Sequence, residues 1–181
     1  MNTIEQFQTI SQTRKTSTEE GLKLFDQLEP VNLEFMMGRW QGYGIHTNHP
    51  MDGLLEAFAW YGKDFIDADQ VHPLLFLDHQ NQVISIKPSP MILKIGAVLN
   101  YPKPKFSKIL FRLTSPFFKT ETSHARLRMM EYRQKVTATM IYDNLPIHDS
   151  FGKIDNNTVL GVMDYKAIEK PFFFVLERRS G

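Results

Sequence analysis

The chain has 181 residues, 42% hydrophobic and 23% charged, with a formal net charge of +1. That length suits one domain with a core of normal size, and so small a charge gives no general pull toward nucleic acid or membrane. The absence of cysteine excludes disulfides, thiolate nucleophiles and cysteine-ligated metals.

Met1 to Glu20 is polar and mixed in charge, unlike the apolar core of a signal peptide, and no run approaches the roughly 18 apolar residues needed to span a bilayer. A cytoplasmic protein is the expectation. Thr18 to Leu28 predicts a first helix: Thr18 or Ser17 caps it, Glu19 and Glu20 suit its first turn, and Leu22, Phe25 and Leu28 recur at helical spacing before Pro30 ends it. The run Gly38-Arg39-Trp40-Gln41-Gly42-Tyr43-Gly44 then opens a strand reaching about Thr47. Alternate glycines leave bare backbone on one strand face, where another segment can approach or the strand can bend. Trp40 supplies a large rigid side chain able to plug one end of a barrel.

Asn48-His49-Pro50 breaks that strand, and Met51, Leu54, Leu55, Phe58 and Tyr61 form a stripe that predicts a second helix. Directly after the first strand, it serves either as a lid across one mouth or as a helix packed permanently on the barrel. Strands follow at Val71 to Leu77 and Val83 to Lys87. Between Asp78 and Glu121 there is no acidic residue, while Lys87, Lys94, Lys103, Lys105, Lys108, Arg112 and Lys119 give this segment +7. Interleaved with Met91, Ile92, Phe106, Phe117 and other apolar side chains, these charges either solvate ordinary strands or suit an anionic amphiphile or a transient contact with an anionic membrane surface. Paired prolines at 88 and 90, and at 102 and 104, make this middle loop-rich.

The last third reads as a meander. Ala125, Leu127 and Met129 alternate with Arg126, Arg128 and Met130, and Val136, Ala138, Met140 and Tyr142 alternate with Thr137, Thr139 and Ile141. Ile147 to Ile154, Val159 to Tyr165 and Phe172 to Arg178 complete it. The whole predicts a mainly β single domain, 1–181: an antiparallel β-barrel of the lipocalin or fatty-acid-binding-protein kind with two N-terminal helices.

Gly38-Arg39-Trp40-Gln41-Gly42, Asp52-Gly53-Leu54-Leu55, Trp60-Tyr61-Gly62-Lys63 and Val71-His72-Pro73-Leu74-Leu75-Phe76 resemble the GXWXG domain family, over about 24–83. After the basic middle (about 84–121), Tyr132-Arg133, Thr137-Ala138-Thr139-Met140-Ile141-Tyr142-Asp143, Leu145-Pro146-Ile147, Val159-Leu160-Gly161-Val162-Met163-Asp164 and Phe172-Phe173-Phe174-Val175-Leu176 resemble domain-of-unknown-function family 4334, over about 122–179. The two commonly occur together in bacterial proteins. The resemblance implies a lipocalin-like barrel and supplies no catalytic residue. Through Gly44 the first strand also resembles that of nitrobindin, a haem-binding barrel.

The chemistry is sparse. Haem needs an axial histidine inside the cavity; the last strands have none, which leaves His148 as the candidate. His46, His49, His72, His79 and His124 match no metal-ligand spacing, and there is no nucleophile elbow, phosphate loop or dinucleotide fingerprint. Arg126 and Arg128 share a strand face: inward they would present two guanidinium forks to a carboxylate or phosphate headgroup, outward they solvate the barrel. The expectation is a binding protein, without cofactor, metal or nucleic-acid partner, for a small hydrophobic or amphipathic ligand such as a fatty acid or phospholipid. Trp40 and the glycines Gly38, Gly42 and Gly44 would shape the closed end. Leu55, Phe58, Trp60 and Tyr61 would line the lid, and His72, Arg126, Arg128, Tyr142 and His148 are the polar candidates. Two alternatives stand beside it: an enzyme with His148, Asp149 or His72 as acid–base groups, and a haem protein.

Overall fold

The structure, a computed structural model, describes residues 2–88, 111–113 and 115–178. Most of the basic middle therefore lies outside the described residues, and the membrane contact expected of it with them. Two helices precede the barrel: α1 (Thr3–Thr13) and α2 (Thr18–Gln27). Each starts with a capping box, Asn2 with Glu5 and Ser17 with Glu20, in which side chain and backbone satisfy one another's free N–H groups. The second matches the expected first helix. The first has no counterpart among the expected elements, because its residues are mostly polar and it buries little besides Ile10.

A short strand β1 (Glu29–Pro30) and a helical turn α3 (Leu33–Met36) lead into β2 (Gly38–Ile45). A single helical turn α4 (Leu54–Ala57), β3 (Trp60–Phe65), β4 (Val71–Leu77) and β5 (Val83–Ser85) follow. A 3₁₀ turn at Ser115–Phe118 precedes β6 (Ala125–Tyr132), β7 (Lys135–Tyr142), β8 (Ile147–Lys153), β9 (Thr158–Tyr165) and β10 (Ile168–Arg178). Among the described residues, β2, β3, β4 and β6 to β10 form a closed antiparallel barrel of eight strands, each beside its sequence neighbour. The seam joins β10 to β2, from Phe173 opposite Ile45 to Arg178 opposite Trp40. The wall is thinnest between β4 and β6, where Val71 faces Ala125 and Leu127 N donates to Ala68 O at 2.8 Å.

Alternation sorts the late strands onto two cores. Val159, Met163, Phe172, Phe174 and Leu176 point into the barrel, while Leu160, Val162, Phe173 and Val175 point outward against Leu24, Phe25 and Ile10 of the helices. Two glycines owe their identity to crowding. A Cβ on Gly42 would lie 2.6 Å from the Trp60 ring. On Gly62, at φ +151°, it would lie 1.9 Å from the carbonyl oxygen of Trp40.

Two expectations need correction. The second helix is one turn long: Gly53 at φ +80° starts it and Ala59 at φ +55° stops it. Trp60 and Tyr61 belong to β3, where Trp60 faces Phe76. The stripe Met51, Leu54, Leu55 and Phe58 is apolar because it covers the barrel interior, and turns achieve this as well as a helix. The alternation of β6 and β7 also fails toward their hairpin, where Met129 is 42% and Val136 56% exposed, since the turn at Arg133 and Gln134 carries both strands past the packed interior.

A candidate binding cavity with a buried ion pair

The two halves of the barrel interior differ. Around Trp40 it is solid: Met36, Trp40, Phe65, Leu127, Met140 and Phe151 are fully buried, and Trp40 Nε1 donates to Met36 O at 2.8 Å. The guanidinium of Arg178 lies 4.3 Å from the Trp40 ring centre and closes this end. Toward the other end is a cavity of about 80 Å³. That is space for several water molecules or a small organic group, below the roughly 300 Å³ at which ordinary ligand pockets begin. Its walls are almost wholly apolar, including Leu74, Phe76, Leu145, Ile147, Met163, Phe172 and Phe174, and residues Met51, Leu54, Leu55 and Phe58 cover it.

Two charges break this apolar lining. Lys63 and Asp149, 2% and 1% exposed, form an ion pair with Nζ to Oδ2 at 2.8 Å. Lys63 also donates to Pro73 O at 3.2 Å and reaches the Tyr142 hydroxyl at 3.5 Å, the limit of a hydrogen bond. The rings of Phe174, Tyr142 and Trp60 surround its ammonium at 5.0, 5.6 and 5.7 Å.

The position of Lys63 depends on a bulge. Trp60 lines the cavity, so strict alternation would send residue 63 outward. The pairing of β3 with β4 shifts register on both sides of Gly62, and this turns Lys63 and Phe65 inward. Asp149 needs no such device, because it lies in phase with Ile147 and Phe151 on β8.

Burial pushes the Asp149 carboxyl above its ordinary value, and the Lys63 charge pulls it part of the way back. Burial holds the Tyr142 phenol far above its ordinary range, and the Asp149 charge adds to this. Asp149 Oδ1 and Trp60 Nε1 are buried with no hydrogen-bond partner among the described residues. The covering segment holds more such atoms: Thr47 Oγ1, His49 Nε2, Asp52 Oδ1 and Glu56 Oε2.

Of the residues named from sequence, Leu55, Phe58, Trp60 and Tyr142 line the cavity. Trp40 sits at the solid end beside Gly38, and Gly44 lies under Glu56, whose Oε1 accepts from its N–H at 3.2 Å. Tyr61 is half-buried on β3 and is not among the lining residues. The remaining four stand outside. His72 Nδ1 lies 3.0 Å from Ser85 Oγ, Arg126 pairs with Asp143 at 2.9 Å, and Arg128 donates to Ala68 O and pairs with Asp69. The outward reading of both arginines holds because Ala125 and Leu127 take the interior. His148 alternates with Ile147 and Asp149 and so takes the outer face of β8. With no histidine in the cavity lining, the residues present do not fit a haem ligated through His148. Among the described residues no three His, Asp or Glu side chains are grouped to hold a metal, and no helix is long and apolar enough to cross a membrane.

The geometry defines a barrel protein with a largely apolar interior cavity, consistent with a lipocalin-like description and a binding-protein-like role. Residues 23–81 match GXWXG protein and residues 123–178 match Domain of unknown function (DUF4334), in the order the motifs suggest. A crystal structure of a protein from Thermomonospora curvata is similar over 99% of this chain and 100% of that one, with 28% identity and a TM-score of 0.74. Among curated proteins no match was found.

Proposed function

We propose that the barrel binds a small, largely apolar molecule whose one polar group rests against Lys63, Asp149 and Tyr142. The observation that carries this reading is the buried ion pair in an otherwise apolar cavity. Burying two charges is costly, and apolar residues of similar volume serve stability at least as well. A pair kept there suits recognition of something that enters. The fatty acid or phospholipid expected from sequence belongs to this amphipathic class, and so small a cavity favours a short chain. A cytoplasmic site of action and a transient membrane contact through Lys87 to Lys119 remain parts of the proposal.

Native mass spectrometry of the purified protein, with extraction of what it carries, tests the reading. The expected result is a retained or exchangeable small apolar molecule. Its binding should change the fluorescence of Trp60, one of two tryptophans, and a Trp60→Phe variant should lose that response. A protein that carries nothing and takes up no apolar molecule of this size would overturn it.

A further inference from the structure

The two charges in the cavity cancel, and this restricts what can join them. We propose that the ligand is electrically neutral and carries a hydroxyl group: a small apolar alcohol rather than a carboxylate or an amine. The inference rests on the reading of the cavity as a binding site and goes beyond it in naming the polar group.

Charge balance points to a neutral ligand. Lys63 is already neutralised by Asp149 at 2.8 Å, with the carboxylate that pairs it 1% exposed. A ligand carboxylate would leave one net negative charge among apolar walls, next to another carboxylate, and a ligand ammonium would leave one net positive charge. A neutral group leaves the balance intact.

The supply of hydrogen-bond partners points to a hydroxyl. An ammonium has three protons, and those of Lys63 are directed to Asp149 Oδ2, Pro73 O and the Tyr142 oxygen. It has none left for a ligand. What remains unpartnered in the cavity lining among the described residues is one acceptor, Asp149 Oδ1, and two donors, Trp60 Nε1–H and the proton of the Tyr142 phenol, whose oxygen accepts from Lys63. The ligand must therefore both donate and accept. A hydroxyl does both through one atom; a carboxylate only accepts and would leave Asp149 Oδ1 facing a second anion.

The test compares three eight-carbon probes, 1-octanol, octanoate and octylammonium, by calorimetric titration of the full chain at about pH 8, where the two ionisable probes are charged. Wild type should bind 1-octanol at least tenfold more tightly than either ion. Asp149→Asn leaves the Lys63 charge uncompensated and should reverse the order, with octanoate ahead of 1-octanol. Octanoate equal to or ahead of 1-octanol on wild type overturns the proposal but leaves the cavity reading standing. Failure of all three probes overturns both. Should Asp149→Asn not fold, wild type at falling pH decides. Octanoate should gain at least tenfold as its carboxylate and Asp149 take up protons, and an octanoate affinity that stays flat would overturn the proposal.

Discussion

Lys63 and Asp149 show how much one pair of residues depends on its partner. Removing either side chain alone strands a charge in an apolar cavity, so Lys63→Met or Asp149→Leu should each cost about 3–5 kcal/mol. The double variant Lys63→Met/Asp149→Leu removes both charges and should match or exceed wild type in urea denaturation while losing any preference among polar ligands. The pH dependence has a definite sign. Burial raises the Asp149 carboxyl in the folded protein, so the stability linked to its proton is complete below the unfolded value of 3.8 and is lost as pH rises through the folded value. The advantage of the double variant over wild type should therefore grow from about pH 4 toward neutrality. An advantage that shrinks over that range would contradict the assignment. Of these two residues, Asp149 was named from sequence only as an acid–base alternative, although its phase with Ile147 and Phe151 carries the signal for an inward side chain. Lys63 carries no such signal, since ordinary alternation from Trp60 points it at solvent and only the bulge at Gly62 brings it inside.

The element that covers the cavity is the segment 46–59. It is a chain of turns held by polar contacts: Asp52 Oδ2 accepts from Thr47 N and His49 N at 3.0 and 2.9 Å, and His49 Nδ1 accepts from Met51 N at 3.0 Å. Burial depresses the His49 pKa, opposed by the nearby Asp52 charge, with Lys170 contributing in both directions. A depressed histidine supplies stability that is complete above its ordinary value near 6.5 and is lost as pH falls through the folded value. Protonation would also end its acceptance from Met51. Acidification from about pH 7 to pH 5 should thus weaken wild type more than His49→Asn, whose side-chain oxygen can still accept that bond but does not titrate. Equal losses in denaturant midpoint would show that His49 does not set this pH dependence. The apolar stripe of this segment was visible in sequence, and its helical period was misleading. Period reports which residues must be buried, whereas Gly53 and Ala59 decide how far the backbone stays helical. The cap of α2 acts within one turn, which is why sequence narrowed it to Ser17 or Thr18, and the structure assigns it to Ser17.

At the scale of the whole molecule, the barrel exists only when β10 meets β2, and Arg178 completes that seam. Its guanidinium donates to the carbonyls of Met37 and Phe35 and lies over the Trp40 ring. Arg178→Ala should cost about 1–3 kcal/mol because it leaves two partly buried carbonyls without a donor. Arg178→Lys should recover only part of this, since an ammonium lacks the planar fork that bonds both carbonyls and stacks on the ring. Equal midpoints for Arg178→Ala and wild type would show that the seam closes without it.

The sequence by itself determined that the last third is a meander, that α2 starts near Thr18 behind a hydroxyl cap, and that glycine and tryptophan shape one end of a barrel. Each follows from local spacing: a period of two, a cap, a bare backbone beneath a ring. Only the tertiary structure decided that a lysine enters the cavity and meets an aspartate five strands further along the chain, and that Arg126, Arg128 and His148 stay outside. Those facts depend on register and closure, which change the facing of a side chain without changing any neighbour in sequence.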